Sequence, residues 1–433
     1  MSPTIAGLIG IGVLVILLLS RMPVGFVMAV VGFLGFSYLV SIPAAGSKVA
    51  LDLFWTFASY DFFVVPLFIF MGALAFNSGM SERLYYTAHR WLGHLPGGLA
   101  MATVGGCGGF AAICGSSPAT AATMGTVALP EMKKYNYDLR LATGSIAAGG
   151  TLGILIPPSI VLIMYGILTE QSIIKLFYAG FIPGVLEVVI YISIIYILCR
   201  RNPQLGPRGP LVTFKEKIKS LARVGEALVL FALVMGGLYM GWFTPTEAGG
   251  IGAGGALLIG LARRRLGRKG FINSVLETAQ TSGMAIVVLV GTIIFGHFLA
   301  VTRIAFTLAD WIKGLPLPPI VILSIIALGY IIGGCLMDAF ALVILTIPIY
   351  FPVAMALEFD PIWFGIIVVR VCEMGAITPP VGINVYILKG VAKDVPMFTI
   401  FRGIVPFLVG DIFLLAILIA FPQISLFLPN LIR

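Results

Sequence analysis

Charge is what this chain has least of. Only 10% of its 433 residues are Asp, Glu, Lys or Arg, while 59% are hydrophobic. A soluble protein of this size could not keep so much apolar surface from water. The composition therefore excludes a soluble enzyme and points to a helical protein with many membrane spans. Histidine is scarce: a serine–histidine intramembrane hydrolase would need His89, His94 or His297 beside Ser116 or Ser117, and His89 and His94 fall in surface segments. The five cysteines (107, 114, 199, 335 and 372) sit in or beside apolar runs without Cys-x-x-Cys spacing; they read as reduced and packed. No Walker motif is present, so ATP is not hydrolysed by that route. Gly250, Gly252 and Gly255 have dinucleotide-motif spacing, but they lie inside an apolar span with no strand before them and read as packing. The net charge of +9 lies in short basic runs between apolar segments. That is the positive-inside pattern, and no basic-aromatic patch suggests nucleic acid.

Glycine and proline, by contrast, are plentiful and patterned. Gly153-Ile-Leu-Ile-Pro157-Pro158 recurs 222 residues later as Gly375-Ala-Ile-Thr378-Pro379-Pro380, and the same offset carries Pro130 onto Pro352 and Ser116 onto Asp338. Leu95-Pro96 and Leu315-Pro316 open the two units; Pro183 and Pro406 close them, within a residue or two. Such residues in mid-membrane break helices and free backbone polar groups that lipid cannot satisfy. Paired breaks in two halves of a membrane chain point to a transporter binding site.

Hydropathy predicts ten spans. The first ends at Arg21 and is a retained span, because it lacks a basic leader and a cleavage site. The others cover about 24–39, 62–76, 139–168 (broken), a span ending at Arg200, one ending near Thr244-Pro245 after a basic loop with Lys215, Lys217, Lys219 and Arg223, one ending at Arg263, then about 284–300, 363–388 (broken) and a last one ending at Phe421. Residues 97–129 have basic residues at both ends and Gly-Ser-Ser-Pro midway, so they read as a re-entrant hairpin entered from the cytoplasm. Residues 317–351 read as a second hairpin from the other side; a rival count makes each hairpin two full spans, and span parity does not separate the two readings, since both return the chain to the same side. Each half then has five spans, an odd number, which inverts the halves and leaves both termini periplasmic. Ser81–Trp91 and Arg303–Lys313 read as amphipathic surface helices.

An ion at a broken helix needs oxygen ligands. Candidates are Ser116, Ser117 and Thr120 in hairpin one; Gly149, Gly150, Thr151 and Gly153 in the first broken span; Gly334 and Asp338 in hairpin two; and Gly375, Thr378 and Asn384 in the second broken span. Asp338 is an acid deep in the membrane. Arg370 and Glu373 share a helix face, so they form an internal pair or Arg370 faces an anion. Glu187 and Asp411 read as helix–helix or subunit contacts. A channel would instead need a continuous polar pore, whereas these polar groups cluster at two hairpin tips.

Gly-Ser-Ser-Pro-Ala-Thr at 115–120, Gly-Ile-Leu-Ile-Pro-Pro-Ser at 153–159, Cys-Leu-Met-Asp-Ala around Asp338 and Thr-Pro-Pro-Val-Gly-Ile-Asn at 378–384 resemble the large membrane subunit of tripartite ATP-independent periplasmic (TRAP) transporters, across nearly the whole chain. The resemblance implies a sodium-driven secondary transporter of organic anions in a bacterial inner membrane, moving as an elevator. Sialate, C4-dicarboxylates, keto acids and small sulfonates all fit. Implied partners are a periplasmic binding protein and a small four-helix membrane subunit, expected here as a separate chain. On this basis 62–173 and 284–395 form the moving halves; 1–61, 174–283 and 396–433 form the scaffold. Expected sodium ligands are Ser116, Ser117, Gly149, Gly150, Gly153, Gly334, Asp338, Gly375 and Thr378; Thr120, Arg370 and Asn384 would face the substrate. No organic cofactor is implied. Arg370 departs from the family pattern, in which this position is more often polar and uncharged.

Overall fold

The computed structural model describes residues 2–20 and 22–431; Arg21, expected to close the first span, lies outside them. Among the described residues there is helix and no strand. Three helices come first: α1 (Pro3–Leu19), α2 (Val24–Leu39) and α3 (Ile42–Ala58). A first unit follows: α4 (Val64–Asn77), a short α5 (Met80–Leu92), a hairpin of α6 (Gly98–Cys114) and α7 (Ser117–Lys134), a broken helix of α8 (Leu139–Leu155) and α9 (Ile160–Thr169), then a long α10 (Ile173–Arg201). After α11 (Phe214–Tyr239) and α12 (Pro245–Ala262) the same order returns. The second unit holds α13 (Arg268–Thr302), a short α14 (Ile304–Lys313), a hairpin of α15 (Pro319–Leu336) and α16 (Ala339–Ala356), a broken helix of α17 (Pro361–Ile377) and α18 (Ile383–Val391), and a long α19 (Met397–Ala420). A short α20 (Gln423–Asn430) ends the described chain.

The breaks and turns have local causes. Pro157 and Pro158 lack an N–H, so the carbonyls of Gly153 and Ile154 have no donor four residues on, and α8 stops at Leu155. Pro379 and Pro380 stop α17 in the same way at Ile377. Both Pro–Pro bonds are cis. In hairpin one the chain turns at Gly115, with φ of 63°, a conformation that favours glycine. Ser116 then caps α7 and Asp338 caps α16, accepting from Phe340 N at 3.0 Å. These are the two residues that the 222-residue offset superposes.

The broken helices are the centre of the molecule. Every residue of 141–155 and of 362–377 is buried. The long helices α10 and α19 press on them. A Cβ added to Gly144 of α8 would stand 2.2 Å from the Gly403 carbonyl of α19, and one on Gly180 of α10 would stand 2.6 Å from the Leu155 carbonyl. At the end of the molecule that carries the basic clusters, Glu226 of α11 gathers Arg83 of α5 (3.0 Å), Arg263 (2.6 Å) and Arg265 (3.2 Å).

Several expectations change. Seven helical segments among the described residues are long and apolar enough to cross a membrane, or eight if the pair 42–58 and 61–77, bent by 61°, is one span; ten spans were expected. The seven include both arms of hairpin two. They omit α1, α2 and α17, which have 17, 16 and 17 residues against the ~20 a span ordinarily needs, and also α12, whose glycines and Glu247 dilute its apolar run. The helix α3 was not anticipated: Lys48 and Asp52 interrupt its apolar run, and Asp52 meets His297 at 2.8 Å. The basic stretch at 215–223 is helix rather than loop, because Thr213 and Glu216 form a capping box. Thr244-Pro245 begins α12 instead of ending the preceding span, again through a capping box, with Glu247. The helix α13 starts at Arg268, sixteen residues before the apolar run at 284.

Candidate functional site

Each hairpin tip rests on the break of its own unit. A Cβ on Gly153 would stand 2.5 Å from the Ser116 carbonyl and 2.7 Å from Ser117 N, so only glycine allows this contact. One on Gly115 would stand 2.5 Å from the Pro158 carbonyl. In the second unit, Gly334 and Gly375 face each other: a Cβ on Gly375 would meet Gly334 Cα at 2.7 Å. Gly382 N donates to the Cys335 carbonyl at 3.2 Å.

The two tips bound one cavity of ≈ 500 Å³, with Ser116 and Ser117 on one side and Asp338 on the other. Glu277 and Thr281 of α13 complete its polar wall; most of the remainder is apolar, including Ile383 and Ile387 of α18. A smaller pocket of ≈ 140 Å³ shares Ser116, Glu277 and Thr281 and runs along Gly72 and Thr123. Among the described residues no Lys, Arg or His lines the main cavity.

The structure thus joins Ser116, Ser117 and Gly153 at one tip, and Gly334, Asp338 and Gly375 at the other. It also links the two units. Asn384 Nδ2 donates to Ser117 Oγ at 2.6 Å, and Ser117 Oγ donates to Glu373 Oε2 at 3.0 Å. Other expected residues stand apart. Gly149 and Gly150 lie inside the continuous part of α8, where carbonyls bond along the helix. Their missing side chains admit Cys107 and Ala121 of the hairpin instead. Thr120 is buried and donates to the Ser116 carbonyl at 2.7 Å. Thr378 donates to the Met374 carbonyl at 2.5 Å.

Arg370 is fully buried and does not line the cavity. Its guanidinium pairs with Glu187 of α10 at 3.1 Å and with Asp411 of α19. Tyr191 donates to Asp411 at 2.5 Å, and Thr151 of α8 donates to Glu187 at 3.0 Å. The expected alternative, a pair with Glu373, is not made. Three residues apart brings two side chains near each other, but Arg370 reaches outward to α10 and α19 while Glu373 turns to the hairpin tip. Sequence reasoning missed Glu277, Thr281 and the link from Glu373 to Ser117. Glu277 and Thr281 precede the apolar run of α13 and read as loop; an acid nine residues into a long helix was the available signal.

Residues 11–424 match the family described as tripartite ATP-independent periplasmic transporter, DctM component. The chain belongs to this family. It is 36% identical to the C4-dicarboxylate TRAP transporter large permease protein of Pseudomonas aeruginosa, covering 90% of this chain and 91% of that one. It is 31% identical to the sialic acid TRAP transporter large permease protein of Vibrio cholerae, covering 96% of each. The isethionate TRAP transporter permease protein DctMQ of Oleidesulfovibrio alaskensis is 36% identical over 83% of this chain, which covers 57% of that longer protein. In fold, the chain resembles the Alcanivorax borkumensis YdaH transporter, with a TM-score of 0.62 at 14% identity over 88% of this chain and 90% of that one. The curated relatives are named as permease subunits, not enzymes.

Proposed function

We propose that this TRAP large subunit imports a small organic anion, a carboxylate or sulfonate, driven by sodium across a bacterial inner membrane. A periplasmic binding protein delivers the anion, and a small four-helix subunit, as a separate chain, completes the membrane part. The observation that carries this reading is the pair of hairpin tips, each seated on a helix break and both facing one cavity. Among the described residues the charged groups at that cavity are the acids Glu277 and Asp338, so an anion enters favourably only with cations beside it. Sodium at each tip, held by Ser116 and carbonyls freed at Gly153 on one side and by Asp338 with carbonyls near Gly334 and Gly375 on the other, supplies them. The relatives' names, C4-dicarboxylate, sialic acid and isethionate, are all of organic acids.

The repeated element order supports two inverted halves and alternating access by an elevator motion, with both termini periplasmic. We place the edge of the moving unit beyond 173 and 395, however, so that it includes α10 and α19. Both long helices touch the broken helices backbone to backbone and share the Arg370 ion cluster with α17. Buried ion pairs and glycine contacts of this kind do not slide.

Proteoliposomes carrying the complete transporter test the coupling. Uptake should rise with an inward sodium gradient, by about 1.4 kcal/mol of driving force per ion for each tenfold ratio. A negative interior should add about 2.3 kcal/mol per net charge per 100 mV. Uptake indifferent to both would refute the reading. Asp338→Asn sharpens the test: asparagine caps a helix about as well as aspartate, so the fold should persist while sodium half-saturation rises ~10-fold or more, equivalent to about 1.4 kcal/mol. Unchanged sodium dependence would leave Asp338 a helix cap and nothing else.

A further inference from the structure

Glu373 has no task in the scheme above. It is completely buried, and Ser117 Oγ donates to its Oε2 at 3.0 Å. Among the described residues its other oxygen, Oε1, has no hydrogen-bond partner; nor has Asn384 Oδ1, on a residue 1% exposed. Ser117 Oγ lies between these two side chains, bonded to both. Arg370, one turn earlier, is already taken by Glu187 and Asp411. Two buried carboxylates, Glu187 and Asp411, thus take the one buried guanidinium, and the third buried acid, Glu373, turned toward Ser117, is left without a cation among the described residues. A buried charge without a counter-charge is strongly unfavourable. Unfilled acceptor oxygens on two neighbouring buried side chains are what a hard cation requires. Among the described residues no cluster of three His, Cys, Asp or Glu could hold a divalent metal; one carboxylate with neutral oxygens suits a monovalent ion.

We propose that Glu373 Oε1, Asn384 Oδ1 and the Ser117 hydroxyl oxygen hold a sodium ion of their own, separate from the two tip-and-break constellations. The inference rests on the sodium-coupled reading above and adds an ion to it. The three ligands come from different parts: Ser117 from hairpin one, Glu373 and Asn384 from either side of the second break. An ion there fastens the first unit's hairpin to the second unit's broken helix, so its occupancy is linked to the closure of both halves. Ser117 also lines the central cavity, which gives the ion a route in.

The test counts radioactive sodium bound to the purified full chain by equilibrium dialysis, with potassium as competitor. Glu373→Gln keeps the shape and the bond from Ser117 but removes the charge. The expected result is one sodium fewer per chain than in the wild type, and two fewer when combined with Asp338→Asn. Equal counts for wild type and Glu373→Gln, at neutral and at alkaline pH, overturn the site while leaving sodium coupling intact. A wild type that binds no sodium overturns the coupling itself. If Glu373→Gln does not fold, Asn384→Ala replaces it. That variant removes one ligand and should weaken one sodium ~10-fold, whereas wild-type binding in it overturns the proposal.

Discussion

Arg370→Met should be the most damaging single substitution in this protein. It leaves Glu187 and Asp411 facing each other in a site with no solvent, and breaking a buried ion cluster by removing one partner costs about 3–5 kcal/mol. The cluster connects α10, α17 and α19, with α8 attached through Thr151, so the loss should appear as reduced stability of the bundle these helices form. The variant should be recovered from membranes in low yield and melt well below the wild type. Replacing the charged cluster by apolar residues of similar size removes the unpaired charges: Arg370→Met with Glu187→Met and Asp411→Leu should regain most of the melting temperature, because such replacements are often neutral or better. Adding Glu373→Met to Arg370→Met should not help. Rescue by Glu373→Met alone would show that the ion cluster described here is not the one that matters.

A methyl group at Gly153 should have the second-largest effect. Its Cβ would enter the space of the Ser116 carbonyl, 2.5 Å away, and of Ser117 N, 2.7 Å away. Both are backbone atoms that cannot rotate aside, so hairpin one must lift off the break. Overpacking of this kind costs about 1–3 kcal/mol. Here it acts on the contact that sets carbonyls against the tip. Gly153→Ala should therefore fold, but its sodium half-saturation should rise by ~10-fold or more. Gly375→Ala, 2.7 Å from Gly334 Cα, should behave alike at the second tip. Gly254→Ala is the control: nothing lies within 4 Å of its Cβ, and alanine favours the helix by about 0.8–1 kcal/mol. Normal sodium dependence in Gly153→Ala would mean the tip-and-break contact carries no ion.

Some elements could not be found by hydropathy. Neither the helix α3 nor the first sixteen residues of α13 reads as an apolar span, since Lys48 and Asp52 interrupt one and Asn273, Glu277 and Gln280 the other. Both are helices held by neighbours. Asp52 of α3 meets His297 of α13 at 2.8 Å, and Asn77 of α4 bonds Ser274 in the first sixteen residues of α13 at 3.0 Å. Glu277 escaped notice for the same reason, although it faces the central cavity.

The class and the plan of this protein follow from its composition and its covalent chemistry. Long unbroken apolar runs cross lipid as helices, in which each segment satisfies its own backbone groups, whereas barrel strands would alternate apolar and polar residues. Proline and glycine, repeated at a fixed offset, must break helices wherever they fall, because their effect is covalent and local. The two hairpins, the two breaks and the pairing of Ser116 with Asp338 were legible for that reason. Which polar groups meet depends instead on how the helices pack. Arg370 could turn to Glu373, to a ligand or to another helix. Its choice of Glu187 and Asp411, residues 183 and 41 positions away, depends on how α10, α17 and α19 cross. Gly149, Gly150 and Gly153 are alike in sequence; packing alone assigns the first two to side chains of the hairpin and the third to its tip. The meeting of Glu373 with Ser117 across the two units likewise depends on distances that no local pattern encodes.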